Sequence, residues 1–146
     1  MNYIKNMVRK KSKWWARLAS AILREFSDSM KPTYGVRSYT DSGEYVKSKG
    51  EKKVADWLRT NGFKYEYEKK FSKNMKLYHL PDFTVTLPSG KTVYIEYLGM
   101  YENFKDYRVK NHKKMEDYRK AGINCIYLFP HNLNDLDDSL KPYLLL

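Results

Sequence analysis

Cysteine is almost missing from this sequence. Cys125 stands alone among 146 residues, so no disulfide framework within the chain braces the fold. One Cys and three scattered His (His79, His112, His131) offer no ligand spacing for a zinc site. Glycine is scarce too, at seven residues, and no GxGxxG or GxxxxGK pattern is present, which removes the glycine-rich phosphate loops. No apolar run approaches the roughly 18–20 residues of a membrane span. Arg17 and Arg24 interrupt the apolar residues of the basic N-terminus, so no signal-peptide core is found there. The expectation is a soluble, cytoplasmic protein, and a lone cysteine fits a reducing compartment.

What the chain has in excess is positive charge. Lys and Arg number 28 against 17 Asp and Glu, a formal charge of +11. Such a surplus points to a polyanionic partner, either nucleic acid or an anionic membrane surface. With 42% hydrophobic and 16% aromatic residues the chain is not globally disordered. Its length suits one compact domain with a real core.

The charge is unevenly spread. Residues 1–31 hold eight Lys/Arg, among them Lys10, Lys11, Lys13 and Arg17, against Glu25 and Asp28. In the same stretch Trp14, Trp15, Leu18, Ile22 and Phe26 recur at the period of an amphipathic helix. This basic N-terminal helix could be a DNA arm, a homodimer contact or, last in rank, an interfacial membrane helix. The bland alternative is a helix packed on its own domain with a solvated basic face. Residues 32–47, rich in Gly, Ser, Thr and Asp, read as a connection. The main fold then occupies residues 48–146.

Within it the order is helix, three strands, helix, strand: an αβββαβ core of the α/β class with a mixed central sheet. Ser48 to Asn61 reads as a helix capped by Ser48 and Glu51. Phe63 to Phe71 alternates aromatic and charged residues, as a half-buried strand does. Leu80–Leu87 and Thr92–Leu98 form a hairpin around Pro88-Ser89-Gly90-Lys91. Tyr107–Ala121 is a charged helix, Ile123–Phe129 a buried strand, and Asn134–Leu140 a last short helix.

Asp82 and Glu96 lie inside the two hairpin strands. With a three-residue loop, Ser89-Gly90-Lys91, Thr84 pairs with Glu96 and Asp82 with Leu98. The two carboxylates then share one face as diagonal neighbours, about 7–8 Å apart. A two-residue loop would send them to opposite faces, so the reading hangs on register. Like charges that close need a cation or a proton between them. Two carboxylates on a hard cation are a usual way to set Mg²⁺ against a phosphate. The alternative is that Asp82 begins a turn after Pro81 and Glu96 is solvated on an edge strand.

The run Pro81-Asp82-Phe83, followed by Ile95-Glu96-Tyr97-Leu98-Gly99-Met100 on an αβββαβ order, resembles the PD-(D/E)xK nuclease superfamily, the restriction-endonuclease-like group. The likeness spans residues 48–129 and is greatest to small bacterial and phage nucleases with an EYLG-type motif. It implies a metal-dependent DNA endonuclease that uses metal-activated water, with Asp82 and Glu96 as ligands of Mg²⁺ or Mn²⁺. Glu51 matches the acidic residue of the first helix, a role it shares with plain capping. Superfamily members usually carry Lys two residues after the second acid, where this chain has Leu98. The EYLG relatives look as though they supply it from the next helix in a Tyr-x6-Lys-x3-Tyr pattern, which Tyr107, Lys114 and Tyr118 match. Lys110 and Lys113 stand in reserve. Without such a lysine the chain would bind DNA without cutting it, and a nuclease subunit active only with a partner is a further alternative. Lys52 and Lys53 extend the expected nucleic-acid surface. A structure-specific or junction-resolving activity fits the same class, and RNA is not excluded.

His79 could meet phosphate or water, although a lone His is more often structural. His112 reads as a solvated helix residue, Cys125 as a small strand residue and not a nucleophile, and Tyr94 and Tyr97 as sheet packing.

Overall fold

The structure, a computed structural model, describes residues 36–71 and 77–145. The basic segment 1–31, with Lys10, Lys11, Lys13 and Arg17, lies outside the described residues, as does the expected dimer contact through it. Among the described residues no helix is long and apolar enough to cross a membrane.

The expected connection begins, in its described part, with a small antiparallel hairpin of β1 (Ser38–Tyr39) and β2 (Tyr45–Val46). Helix α1 (Lys49–Thr60) follows, because Ser48 caps it: the Ser48 Oγ accepts the Glu51 N–H at 3.1 Å. Its stripe of Val54, Ala55 and Leu58 is fully buried. Strands β3 (Lys64–Tyr67), β4 (Phe83–Thr86), β5 (Thr92–Tyr97) and β6 (Cys125–Leu128) make one sheet in that order. β3, β4 and β5 are antiparallel, whereas β5 and β6 run parallel and are joined by the crossover helix α2 (Lys105–Lys120). Helix α3 (Leu136–Leu144) closes the described chain after a 3₁₀ turn at Pro130–Asn134. The molecule is thus a mixed α/β fold with a four-stranded mixed sheet and three α-helices among the described residues.

Strand alternation divides the sheet into two unlike faces. Phe83, Val85, Val93 and Ile95 point to one face and form an apolar core with α1 and with Leu136, Leu140 and Leu144 of α3. The Trp57 indole N–H donates to Asp137 at 2.8 Å, tying α1 to α3. Thr84 and Glu96 point to the other face, where Glu96 meets α2 through Tyr118. That helix buries only Asn111 and Tyr118.

Several expected boundaries shift for local reasons. β3 stops at Tyr67 because Glu68 adopts φ +47°, outside strand geometry, so the alternation to Phe71 does not extend the strand. The last helix starts after Asp135, which caps it by accepting the Asp138 N–H. The hairpin register moves by two residues: Thr84 pairs with Tyr94 and Phe83 with Ile95, not Thr84 with Glu96. Pro88 has no N–H to give to a closing pair. The closing bond therefore runs from the Leu87 N–H to the Lys91 carbonyl at 2.9 Å, and Gly90 takes φ +81° at the end of the Pro88-Ser89-Gly90 loop. A shift of two leaves the faces unchanged. Extended by one step, it sets Asp82 directly opposite Glu96, and Leu98 no longer faces Asp82: its N–H donates to Leu128 instead.

The Tyr97 ring fixes how α1 meets the end of β5. A Cβ on Gly50 would lie 2.1 Å from Tyr97 Cε1, and one on Gly99 would lie 2.6 Å from it. Neither approach tolerates a methyl group. Gly50→Ala is therefore expected to displace the ring and cost about 1–3 kcal/mol, read as a lowered melting temperature by circular dichroism. A Gly50→Ala protein that melts with the parent would show that the ring does not need this space.

Candidate active site

Asp82, Glu96, Glu51 and Lys114 line one cleft of about 570 Å³. Three elements supply them. β5 carries Glu96, Asp82 sits one residue before β4 and not within the strand as expected, α1 brings Glu51 on its first turn, and α2 lays Lys114 across Glu96. Lys114 Nζ lies 2.6 Å from Glu96 Oε1 and donates to the Leu80 carbonyl at 3.0 Å. The Tyr118 hydroxyl, one turn on, donates to the same Oε1 at 2.8 Å. Asp82 Oδ2 accepts the Tyr97 N–H at 2.7 Å. Among the described residues, Oδ1 of Asp82 and Oε2 of Glu96 take no hydrogen bond.

The electrostatics follow from that crowding. Burial above all, then the charges of Glu96 and Glu51, push the Asp82 carboxyl well above the usual range; Lys114 and the Tyr97 N–H offset part of this. Glu96, only 2% exposed, is also raised by burial, against the pull of Lys114 and Tyr118. Tyr107 faces the same three carboxylates, and burial together with their charge raises its phenol, so it stays protonated. Tyr118 is raised likewise by burial and by Glu96.

Glu51 is held differently. Its Oε1 accepts the Ser48 hydroxyl at 2.9 Å, and its Oε2 accepts the Lys47 N–H at 3.0 Å and the Tyr67 hydroxyl. Both oxygens serve the helix cap, so of its two expected roles capping is the one these bonds support. Among the described residues no group of three or more His, Cys, Asp or Glu is arranged to hold a metal ion.

The remaining expected residues divide. Lys110 borders the cleft, while Lys113 is exposed and does not line it. Lys52 is taken up by Asp41 and Asp56, both at 2.5 Å, so its charge is largely answered within the fold; Lys53 stays exposed. His79 joins the cleft wall with its Nε2 2.9 Å from Asp117, and His112 contacts the Tyr101 hydroxyl at 2.5 Å. Cys125 is partly buried and its thiol is pushed up by burial, in keeping with an inert strand residue. Sequence reasoning missed Tyr67, Lys47 and Asn111. The alternation of β3 placed Tyr67 on a face, yet nothing in it named Glu51 as its partner. Tyr97 lines the cleft as well as packing the sheet.

No family model matches the chain, and no solved structure matches it. Over 133 residues it is 29% identical to an uncharacterized protein of Methanocaldococcus jannaschii. That alignment covers 90% of this chain and 11% of the archaeal protein, so the chain spans about a ninth of that relative's length.

The raised carboxyl pair has a measurable sign. Without metal, the folded chain keeps a proton at Asp82 to higher pH than the unfolded chain does. Stability is then lost as pH climbs from the ordinary carboxylate value of about 4 through the raised one. Asp82→Asn removes this dependence, while its amide oxygen can still accept the Tyr97 N–H. In EDTA, the melting temperature of Asp82→Asn relative to the parent is expected to rise with pH, reaching a gain of a few degrees near neutrality. Parallel melting curves across that range would refute the like-charge account.

Proposed function

We propose that the protein is a metal-dependent DNA endonuclease with a restriction-endonuclease-like core, hydrolysing phosphodiester bonds at the Asp82–Glu96 cleft. The observation that carries this reading is two carboxylates on one side of the sheet, half-buried Asp82 just before β4 and buried Glu96 on β5, with a lysine from α2 paired with Glu96. Three acids, Glu51, Asp82 and Glu96, share the cleft with Lys114, so negative charge is in excess at its floor. The donor set suits Mg²⁺ or Mn²⁺: hard carboxylate oxygens, one from each strand without a hydrogen bond among the described residues. Mg²⁺ needs only one or two carboxylates, because waters and substrate phosphate fill its other positions. When bound, such an ion supplies Lewis-acid stabilisation of phosphoryl charge and acidifies water.

The chain's own groups do the rest. Lys114 gives one N–H to the Leu80 carbonyl and pairs with Glu96, and its ammonium lines the cleft where the attacking water or a phosphate oxygen would sit. It thus stands in for the lysine absent at Leu98. Tyr118 holds Glu96 in place, and Tyr107 lines the cleft with its phenol kept protonated. Glu51 adds negative charge beside Asp82 while its oxygens remain in the cap. Lys110 and Lys47 line the cleft, where a phosphate backbone would enter.

A second reading is favoured by the archaeal match, in which the similar stretch is a small part of a much longer protein. On that reading the same cleft acts as the nuclease module of a larger assembly and cuts only with its partner present.

Plasmid nicking tests both. Activity is expected with Mg²⁺ or Mn²⁺ and not in EDTA. Asp82→Ala or Glu96→Ala should lower it by about a thousandfold and Lys114→Ala by about a hundredfold. Undiminished cleavage by Asp82→Ala would end the assignment of catalysis to the Asp82–Glu96 cleft. An isolated chain that binds DNA but cuts only after a partner is added would select the second reading.

A further inference from the structure

The β1–β2 hairpin has two faces of opposite character. Val46 is fully buried and Thr40 is 5% exposed, whereas Tyr39 and Tyr45 on the opposite face are 65% and 45% exposed. The pairing Tyr39↔Tyr45, extended by two residues, brings Arg37 opposite Lys47. Strand alternation then puts Arg37, Tyr39, Tyr45 and Lys47 together on the open face. The two rings lie 5.1 Å apart and tilted, and the Arg37 guanidinium sits over the Tyr45 ring at 5.9 Å. Lys47, which also pairs with Glu68, lines the cleft beside Ser48 and Glu51. The open face therefore runs directly into the wall of the candidate active site.

The acidic groups of this hairpin are turned to other work. Asp41 pairs with Lys52, and Glu44 accepts the Tyr65 hydroxyl at 2.6 Å. What the open face offers is two rings and the Arg37 guanidinium, spaced about 7 Å apart along the strands, with Lys47, paired to Glu68, at the cleft end. That combination suits an unpaired nucleic-acid strand. Bases can stack on exposed tyrosines only when they are not already stacked in a duplex, and the cations follow the phosphates. A buried core strand would not expose both rings.

We propose that the open face of the β1–β2 hairpin binds a single-stranded DNA segment, stacking its bases on Tyr39 and Tyr45 as the strand passes into the cleft beside Lys47. The proposal rests on the nuclease reading for the direction of that strand and makes the substrate one with an unpaired extension, such as a flap or overhang.

The test is fluorescence anisotropy in EDTA with the full chain, using labelled oligo-dT of about 20 nucleotides and a blunt duplex of similar length. Oligo-dT is expected to bind at least about fivefold more tightly than the duplex, and the double variant Tyr39→Ala/Tyr45→Ala should lose about fivefold or more for oligo-dT alone. The matching Tyr→Phe pair should bind as the parent does, and Arg37→Ala should lower the salt slope for oligo-dT by about 0.7. Should the double variant fail to fold by circular dichroism, Tyr39→Ala alone, at the more exposed ring, decides with an expected loss of about threefold. Equal binding of the two DNAs, or unchanged oligo-dT binding in the folded tyrosine variants, would overturn the proposal. Mg²⁺-dependent cleavage of a duplex carrying a single-stranded flap is read in parallel. Flap cleavage without tyrosine-dependent strand binding removes the hairpin proposal alone, and tyrosine-dependent binding without flap cleavage removes only the reading that the isolated chain cuts.

Discussion

Two carboxylates facing each other across β4 and β5 set the terms for everything around them. A loop of Pro88, Ser89 and Gly90 fixes the strand register, and the register brings Asp82 and Glu96 to the same cleft, close enough for the charge of Glu96 to act on Asp82. Glu96 is nearly sealed from solvent, so its charge must be answered locally. Lys114 and Tyr118 answer it. This also explains how α2 is held. The helix is strongly charged and buries only Asn111 and Tyr118, too little apolar surface to dock it by packing alone. Its ties to the sheet side are largely polar: Lys114 to Glu96 and Leu80, Tyr118 to Glu96, and Asp117 to His79. The helix needs the acid as much as the acid needs the helix.

The opposite face of the sheet lets the fold tolerate such a site. Phe83, Val85, Val93 and Ile95 pack with α1 and α3 in an apolar cluster that shares no side chain with the carboxylate pair. Burial there provides the main driving force for folding. Polar crowding on the α2 side can then persist as an unrelieved cost, which is where perturbed acids and functional clefts tend to coincide. Tyr97 stands at the junction of the two regions. It lies at the end of β5, closes over Gly50 and Gly99, and gives its N–H to Asp82. The EYLG run is thus a packing unit as well as a run that contains an acid.

Much of this was legible in the chain because the signals are local. Ser48 and Glu51 announced α1, alternation announced β4 and β5, and spacing along α2 put Lys114 and Tyr118 on one face. The hairpin register lies two residues from the one loop length suggests, because length does not encode that Pro88 cannot donate to a closing pair. The face assignment survived because side-chain direction depends only on parity. Glu68 cut β3 short through a left-handed backbone that no composition rule signals. The contacts of Tyr67 and Lys47 with Glu51 join parts of the chain through tertiary packing, and no periodicity encodes a partner.

The hairpin of residues 38–46 shows the same logic at smaller scale. Its sequence reads as a linker, since Gly, Ser, Thr and Asp dominate its turn, yet two short runs at its ends pair and divide their side chains between core and solvent. Val46 anchors it at full burial, and Thr40 uses its hydroxyl to accept the Glu44 N–H and close the turn. Once so anchored, the alternate positions have no freedom to hide: Arg37, Tyr39, Tyr45 and Lys47 must face outward together. Exposed tyrosines on a rigid strand pair lose less conformational entropy on meeting a ligand than the same residues on a loose tether. A linker composition with one buried valine thereby becomes a fixed surface beside the cleft, tied to the first turn of α1 by the bond from the Lys47 N–H to Glu51.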